Sequence, residues 1–84
     1  MQFPDTNNIN SRASFIEFIE SLHADLLQNK EKWQNSTLET FLETLAQYAM
    51  DIQGYYDYAA PGINADNPSW KVFADMLVGA SIYE

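Results

Sequence analysis

Cysteine is absent from this 84-residue chain, which removes disulfides, thiolate nucleophiles, zinc–thiolate centres and iron–sulfur clusters. Histidine occurs once, at His23, so most catalytic triads lack their base and a metal site lacks a second imidazole. The three glycines, Gly54, Gly62 and Gly79, are too scattered for a phosphate-cradling loop, and no Gly-x-Ser-x-Gly nucleophile elbow occurs. Basic residues are scarce: four Lys and Arg face twelve Asp and Glu, for a formal charge of −8. That field repels phosphate backbones and anionic lipid, so neither nucleic acid nor a membrane is an expected partner. It would instead speed association with a basic protein. No run of about 18 apolar residues occurs, and Met1 to Asn8 has neither a basic region nor an apolar stretch, so a cytoplasmic address is expected.

What is present is enough for one core. Hydrophobic residues make up 46% of the chain, with two Trp, five Phe and five Tyr, a content too rich for disorder and a length too short for two cores. The expected organisation is all-α: an N-terminal arm at 1–10, then one helical domain at 11–84 with three main helices. Phe3 and Ile9 are the arm's anchors. Ser11 caps a first helix, running to about Gln28, whose apolar residues Phe15, Phe18, Ile19, Leu22 and Leu26 recur at i, i+3, i+4 and i+7. Ile16, His23 and Leu27 flank that stripe, so the helix is expected to bury a wide face. Ser36-x-x-Glu39 reads as a capping box opening a second helix that ends at Gly54, the residue type best able to take a left-handed conformation. A long connection from Tyr55 to Asp66 follows, containing Pro61-Gly62. Asn67 as cap and Pro68 at the first helical position then start a third helix, Ser69 to about Tyr83. The inward stripes predict a core of Phe15, Ile19, Leu22, Leu26, Leu38, Phe41, Leu45, Ile52, Trp70, Phe73, Leu77 and Ala80. Val78 and Ile82 fall on the opposite side of the third helix and are expected to be exposed.

Each candidate for chemistry has a plainer alternative beside it. Glu20-x-x-His23 is half of a di-iron carboxylate–histidine pattern, but the second half is missing, so His23 reads as an edge-of-core residue. No metal, cofactor or catalytic residue is assigned. Glu39, Glu43 and Asp51 lie on the outer side of the second helix, either as a solvated face or as the rim of a docking surface. Tyr55-Tyr56-Asp57-Tyr58 is the densest aromatic cluster. Tyrosine combines apolar area with a polar tip, so the cluster is either a lid on the core or a set of interface anchors. The partner surface is therefore placed on Tyr55, Tyr56 and Tyr58 together with Glu39, Glu43 and Asp51.

Several blocks carry a resemblance: Ser11-Arg12-Ala13-Ser14-Phe15, then Glu31 to Glu39, then Gly54-Tyr55-Tyr56, and Trp70-Lys71-Val72-Phe73-Ala74-Asp75-Met76-Leu77 with Ala80, Tyr83 and Glu84. Through them the chain resembles an uncharacterised bacterial family of short acidic proteins, a domain of unknown function. The resemblance implies no activity, cofactor or site. By size and acidity these proteins are similar to bacterial immunity proteins that block toxin domains. The expected function is that of a non-enzymatic protein-binding module, in the form of an immunity protein or antitoxin against a basic toxin. The alternatives are a homodimer built through Val78, Ile82 and the tyrosines, and a metal-binding helical protein.

Overall fold

Helices form where the apolar periods lie, but their ends differ from the expected ones. The computed structural model describes residues 6–83, and its order is α1 (Arg12–Asn29), a 3-10 turn (Lys30–Lys32), α2 (Leu38–Ala59) and α3 (Trp70–Ile82). No strand occurs among the described residues. Phe3, expected to anchor the arm, lies outside them.

Ser11 caps α1 as its position suggests. Its Oγ accepts from the Ser14 amide, and the Ser14 Oγ accepts from the Ser11 amide, closing a capping box of two serines. The expected Ser36/Glu39 box does not form. Thr37 caps α2 instead, its Oγ1 accepting from the Thr40 amide at 3.2 Å while the Thr40 hydroxyl donates to the Thr37 carbonyl. On α3 the cap is Ser69 rather than Asn67, whose amide donates to the Asn64 carbonyl in the preceding turn.

The largest correction concerns Gly54, which does not end α2. The helix continues through it to Ala59, and Gly62 is the described glycine with positive φ. A glycine in a helix interior costs about 1 kcal/mol, whereas burying an aromatic side chain gains about 1.5–3 kcal/mol. One turn beyond Ile52, which is fully buried, Tyr56 is 1% exposed, so continuing the helix is the better bargain. Tyr55, Tyr56 and Tyr58 are therefore helical residues, and the connection to α3 begins only at Ala60. It is held in place: Gln53 donates to the Ile63 carbonyl and accepts from the Ala65 amide, while Ile63 and Ala65 pack on the core.

Two half-cores lie on different sides of α3. One joins Ile9 of the arm, Phe18 and Leu22 of α1, Trp33 and Ala74, with Phe15, Leu26, Phe41, Trp70, Leu77 and Val78 around them. The other joins Ile52 and Tyr56 of α2 to Val72, with Tyr48 and Met76 beside them. Helix α2 runs antiparallel to α3. Its Tyr56 hydroxyl meets Asp75, and about two turns back along α2 the Tyr48 ring lies where a Cβ on Gly79 would be. Both outer helices pack on α3 but their backbones nowhere pack on each other. The radius of gyration is nonetheless 12.5 Å, close to the ~12 Å of a compact domain of this length, because α3 is shared.

That shared position overturns three core assignments and one surface assignment. Ile19, Leu38 and Phe73 are exposed, at 42%, 73% and 43%. Val78, expected outside, is half-buried against the first half-core, and Ile82 is exposed as expected. An apolar stripe of one width suits a helix with one neighbour. A helix with two neighbours buries Val72, Ala74, Gly79, Ala80 and Ser81 all round, and leaves Phe73 over the gap between them.

Two polar clasps close the fold. The Asn35 amide donates to the Ser81 carbonyl, and its Nδ2 donates to the carbonyls of Ala80 and Tyr83, so one side chain in the α1–α2 connection occupies the end of α3. Asp25 accepts from Trp33 Nε1 at 2.8 Å and from Asn29 Nδ2 at 2.9 Å, fixing the indole.

Candidate interaction surface

The tyrosines and carboxylates proposed from sequence as one surface are separated. Tyr56 is buried and belongs to the core. Tyr55 and Tyr58 are exposed, Tyr58 at 91%. Asp51, Tyr55 and Tyr58 stand at i, i+4 and i+7 and share one stripe of α2. On that stripe Asp51 accepts from the Tyr83 hydroxyl and from Gln47, and these bonds hold its carboxyl below the usual carboxylate range. Glu39 lies twelve residues before Asp51, about 18 Å along the helix at ~1.5 Å per residue. About 100° of rotation per residue places Glu39 and Glu43 on the other flank of α2, beside groove-lining residues.

The buried Tyr56 hydroxyl is the centre of a cluster that was not apparent in the sequence. It donates to Asp75 Oδ2 at 2.6 Å, where Lys71 Nζ also binds at 2.7 Å, and the Thr6 hydroxyl donates to the other carboxylate oxygen. Lys71 lies 5.6 Å from the centre of the Tyr56 ring. Burial, and then the bond to Asp75, push the phenol far above its ordinary value, so at neutral pH it neither releases a proton nor acts as a nucleophile. The chemistry suits a clasp joining the arm, α2 and α3. The i, i+4 spacing of Lys71 and Asp75 is the available signal, but the turn-forming Gly54 makes the sequence read their partner Tyr56 as a loop residue.

Among the described residues no three His, Asp or Glu side chains gather around a position for a metal ion. Glu20 and His23 are both exposed on α1.

The feature with the largest consequence is the gap left because the backbones of α1 and α2 do not approach each other. Two hollows of about 420 and 390 Å³ lie there, and both are lined by Leu77 of α3. Phe15, Ile19, Leu22, His23 and Leu26 of α1 form one wall, and Leu38, Phe41, Leu42, Leu45, Ala46 and Ala49 of α2 form the other. Phe73, Met76 and Leu77 form the floor, and Trp33, Asn35, Ser36 and Thr37 of the α1–α2 connection line one end. The lining is almost wholly carbon. From Phe15 to Leu26, and from Leu38 to Ala49, each wall runs about 16 Å at ~1.5 Å per residue. Ile16, Ile19, Leu27, Leu38, Leu42 and Phe73 leave much of their surface in water on or beside it. The wide apolar face of α1 is the sequence signal for this groove, although its period alone predicts burial.

Acidic side chains border the α2 wall and stand outside the α1 wall. Glu20 lies four residues after Ile16 and three before His23, while Glu39 and Glu43 lie three before Leu42 and Ala46. All three carboxylates are exposed. Among the described residues the ion pair formed is Lys71–Asp75, so none of these three is neutralised by one.

No described helix is long and apolar enough to cross a membrane. No curated protein and no solved structure matches this chain. A family model does match, over residues 11–84, from the capping serine of α1 through α3 and beyond, and the chain accordingly belongs to a family of unknown function, DUF7660.

Proposed function

We propose that this protein is a non-enzymatic binding module acting in the cytoplasm, and that it works by occupying another protein through the groove between α1 and α2. The observation that carries this reading is the groove itself. A monomeric domain of this size gains stability by closing its apolar surface, and contiguous open apolar surface between packed helices is characteristic of sites for a partner. The charge of −8 adds a preference for a basic partner, as in an immunity protein or antitoxin that blocks a basic toxin. Of the surface needed by the alternative, a homodimer through Val78, Ile82 and the tyrosines, Val78 is half-buried against the first half-core and Tyr56 is buried, whereas Ile82, Tyr55 and Tyr58 are exposed.

The test is site-specific photo-crosslinking in the native cytoplasm, with the crosslinker at Leu42 in the groove or at Ala24 on the outer face of α1. A discrete adduct to one protein from position 42, absent from position 24, is the expected result. No adduct from the groove, or the same adducts from both positions, would overturn the reading.

A further inference from the structure

We propose that the groove receives a basic amphipathic helix from the partner protein, an inference that rests on the binding-module reading above. Three observations select this occupant. The first is length: walls of about 16 Å span three helical turns at ~5.4 Å per turn, the reach of anchors at i, i+4 and i+7. The second is the nature of the walls. The two walls and the floor are helices with their backbone groups internally bonded, and the stretch of connection that lines one end, Trp33 with Asn35, Ser36 and Thr37, holds no strand, so an extended peptide would find no strand edge to join and would enter an apolar cleft with unsatisfied amides. A helix brings its own backbone bonds and needs from the groove only apolar contact, which Ile19, Leu42, Phe73 and Leu77 provide. The third is charge. Glu39 and Glu43 on the α2 border, with Glu20 beyond His23 on the α1 side, give the groove an acidic rim, so Lys or Arg beside the apolar stripe of such a helix would meet carboxylates. A second copy of this chain would instead bring the same acids to face one another, and like-charge juxtaposition opposes that assembly.

The experiment uses the full chain and a synthetic helix-forming peptide of about 18 residues, with Leu at i, i+4, i+7 and i+11 and Lys on its flanks. One comparison peptide has the same composition in scrambled order, and another carries Glu in place of every Lys. Binding is followed by fluorescence anisotropy and by methyl NMR. The patterned basic peptide is expected to bind at least about tenfold more tightly than either comparison, with shifts centred on Ile19, Leu42 and Leu77. Leu42→Lys should abolish binding without changing the melting temperature, since Leu42 is exposed. The triple variant E20Q/E39Q/E43Q should weaken binding and flatten its salt dependence. Equal binding of the scrambled peptide would reduce the effect to general attraction of a polycation and overturn the inference, as would equal binding of the acidic peptide or unmoved groove methyls. A concentration-dependent dimer seen by light scattering and lost in Leu42→Lys would assign the groove to a second copy. If position 42 crosslinks a partner in cells but the patterned peptide does not bind, the basic-helix inference fails while the binding-module reading stands.

Discussion

Tyr56 and Gly79 set the approach of α2 to α3 from opposite sides, one by filling space and the other by leaving it. Tyr56→Phe keeps the ring and removes the hydroxyl bond to Asp75, so urea denaturation should show a loss of about 1–2 kcal/mol. Tyr56→Ala should lose about 3–5 kcal/mol, which makes it unsuitable as an interface probe. At Gly79 an added methyl would lie 2.2 Å from Tyr48 Cε2, and the ring it must displace also stacks edge-on with Tyr83 at 5.0 Å. Gly79→Ala should therefore destabilise by about 1–3 kcal/mol, with less effect in a Tyr48→Ala background if the clash is the cause. The buried phenols also predict a pH response. Burial raises Tyr56 and Tyr48, and Asp75 raises Tyr56 further, so folded values exceed the unfolded value of about 10. Above that pH the unfolded chain sheds protons that the folded chain retains, so this contribution is whole below about pH 10 and is lost as pH rises further. The urea midpoint should fall between about pH 10 and 12, and fall less steeply in Tyr56→Phe. On the acid side, Asp25, lowered chiefly by its bond from Trp33, and Asp51, lowered chiefly by Tyr83, contribute above the usual carboxylate range. Those contributions fade as pH falls through the lowered values.

Helix ends were harder to read than helix existence. The start of α1 was legible in Ser11, which is its cap although Asn10 beside it is an equally good capping residue. At α2 and α3 adjacent hydroxyl and amide residues, Ser36 beside Thr37 and Asn67 before Ser69, offered equivalent caps, and tertiary packing chose between them. Gly54 was misread because a glycine's freedom to turn is visible in sequence, whereas the buried pocket for Tyr56 that keeps the helix going is not. It follows that Gly54→Ala should stabilise α2 by roughly 0.5–1 kcal/mol, since no atom lies within 4 Å of the added Cβ. A fall in melting temperature would mean that the helix does end there. The junction held by Asn35 predicts the opposite sign. Asn35→Ala frees the carbonyls of Ala80 and Tyr83, and two lost hydrogen bonds at about 0.5–1.5 kcal/mol each should lower stability by ~2 kcal/mol. Hydrogen exchange should then show reduced protection at the Asn35 amide, which donates to Ser81.

The all-α class and the number of helices were legible in the sequence, but the interaction surface was only half legible. Each helix showed its apolar face, yet nothing in the period of α1 or α2 says that the two stand apart on a shared neighbour, and that arrangement turns a wide apolar face into an open groove. Phe73 illustrates the difference. Read as core, its removal would nearly unfold the domain. On the groove floor at 43% exposure, Phe73→Ala should cost less than the roughly 3–5 kcal/mol of a buried phenylalanine while weakening partner binding. A melting curve and a binding isotherm on the same variant separate those effects. Of the three helices, the central one is also the last to be made. Because α1 and α2 have no backbone contact with each other, a nascent chain that has not yet yielded residues 70–82 has no complete core to form, and both apolar faces wait on the ribosome for the helix that joins them. Ribosome-bound chains stalled before Trp70 should be cleaved by protease along their whole emerged length, and in chains lengthened by a C-terminal linker that spans the exit tunnel, resistance should arise in one step once Ile82 has emerged.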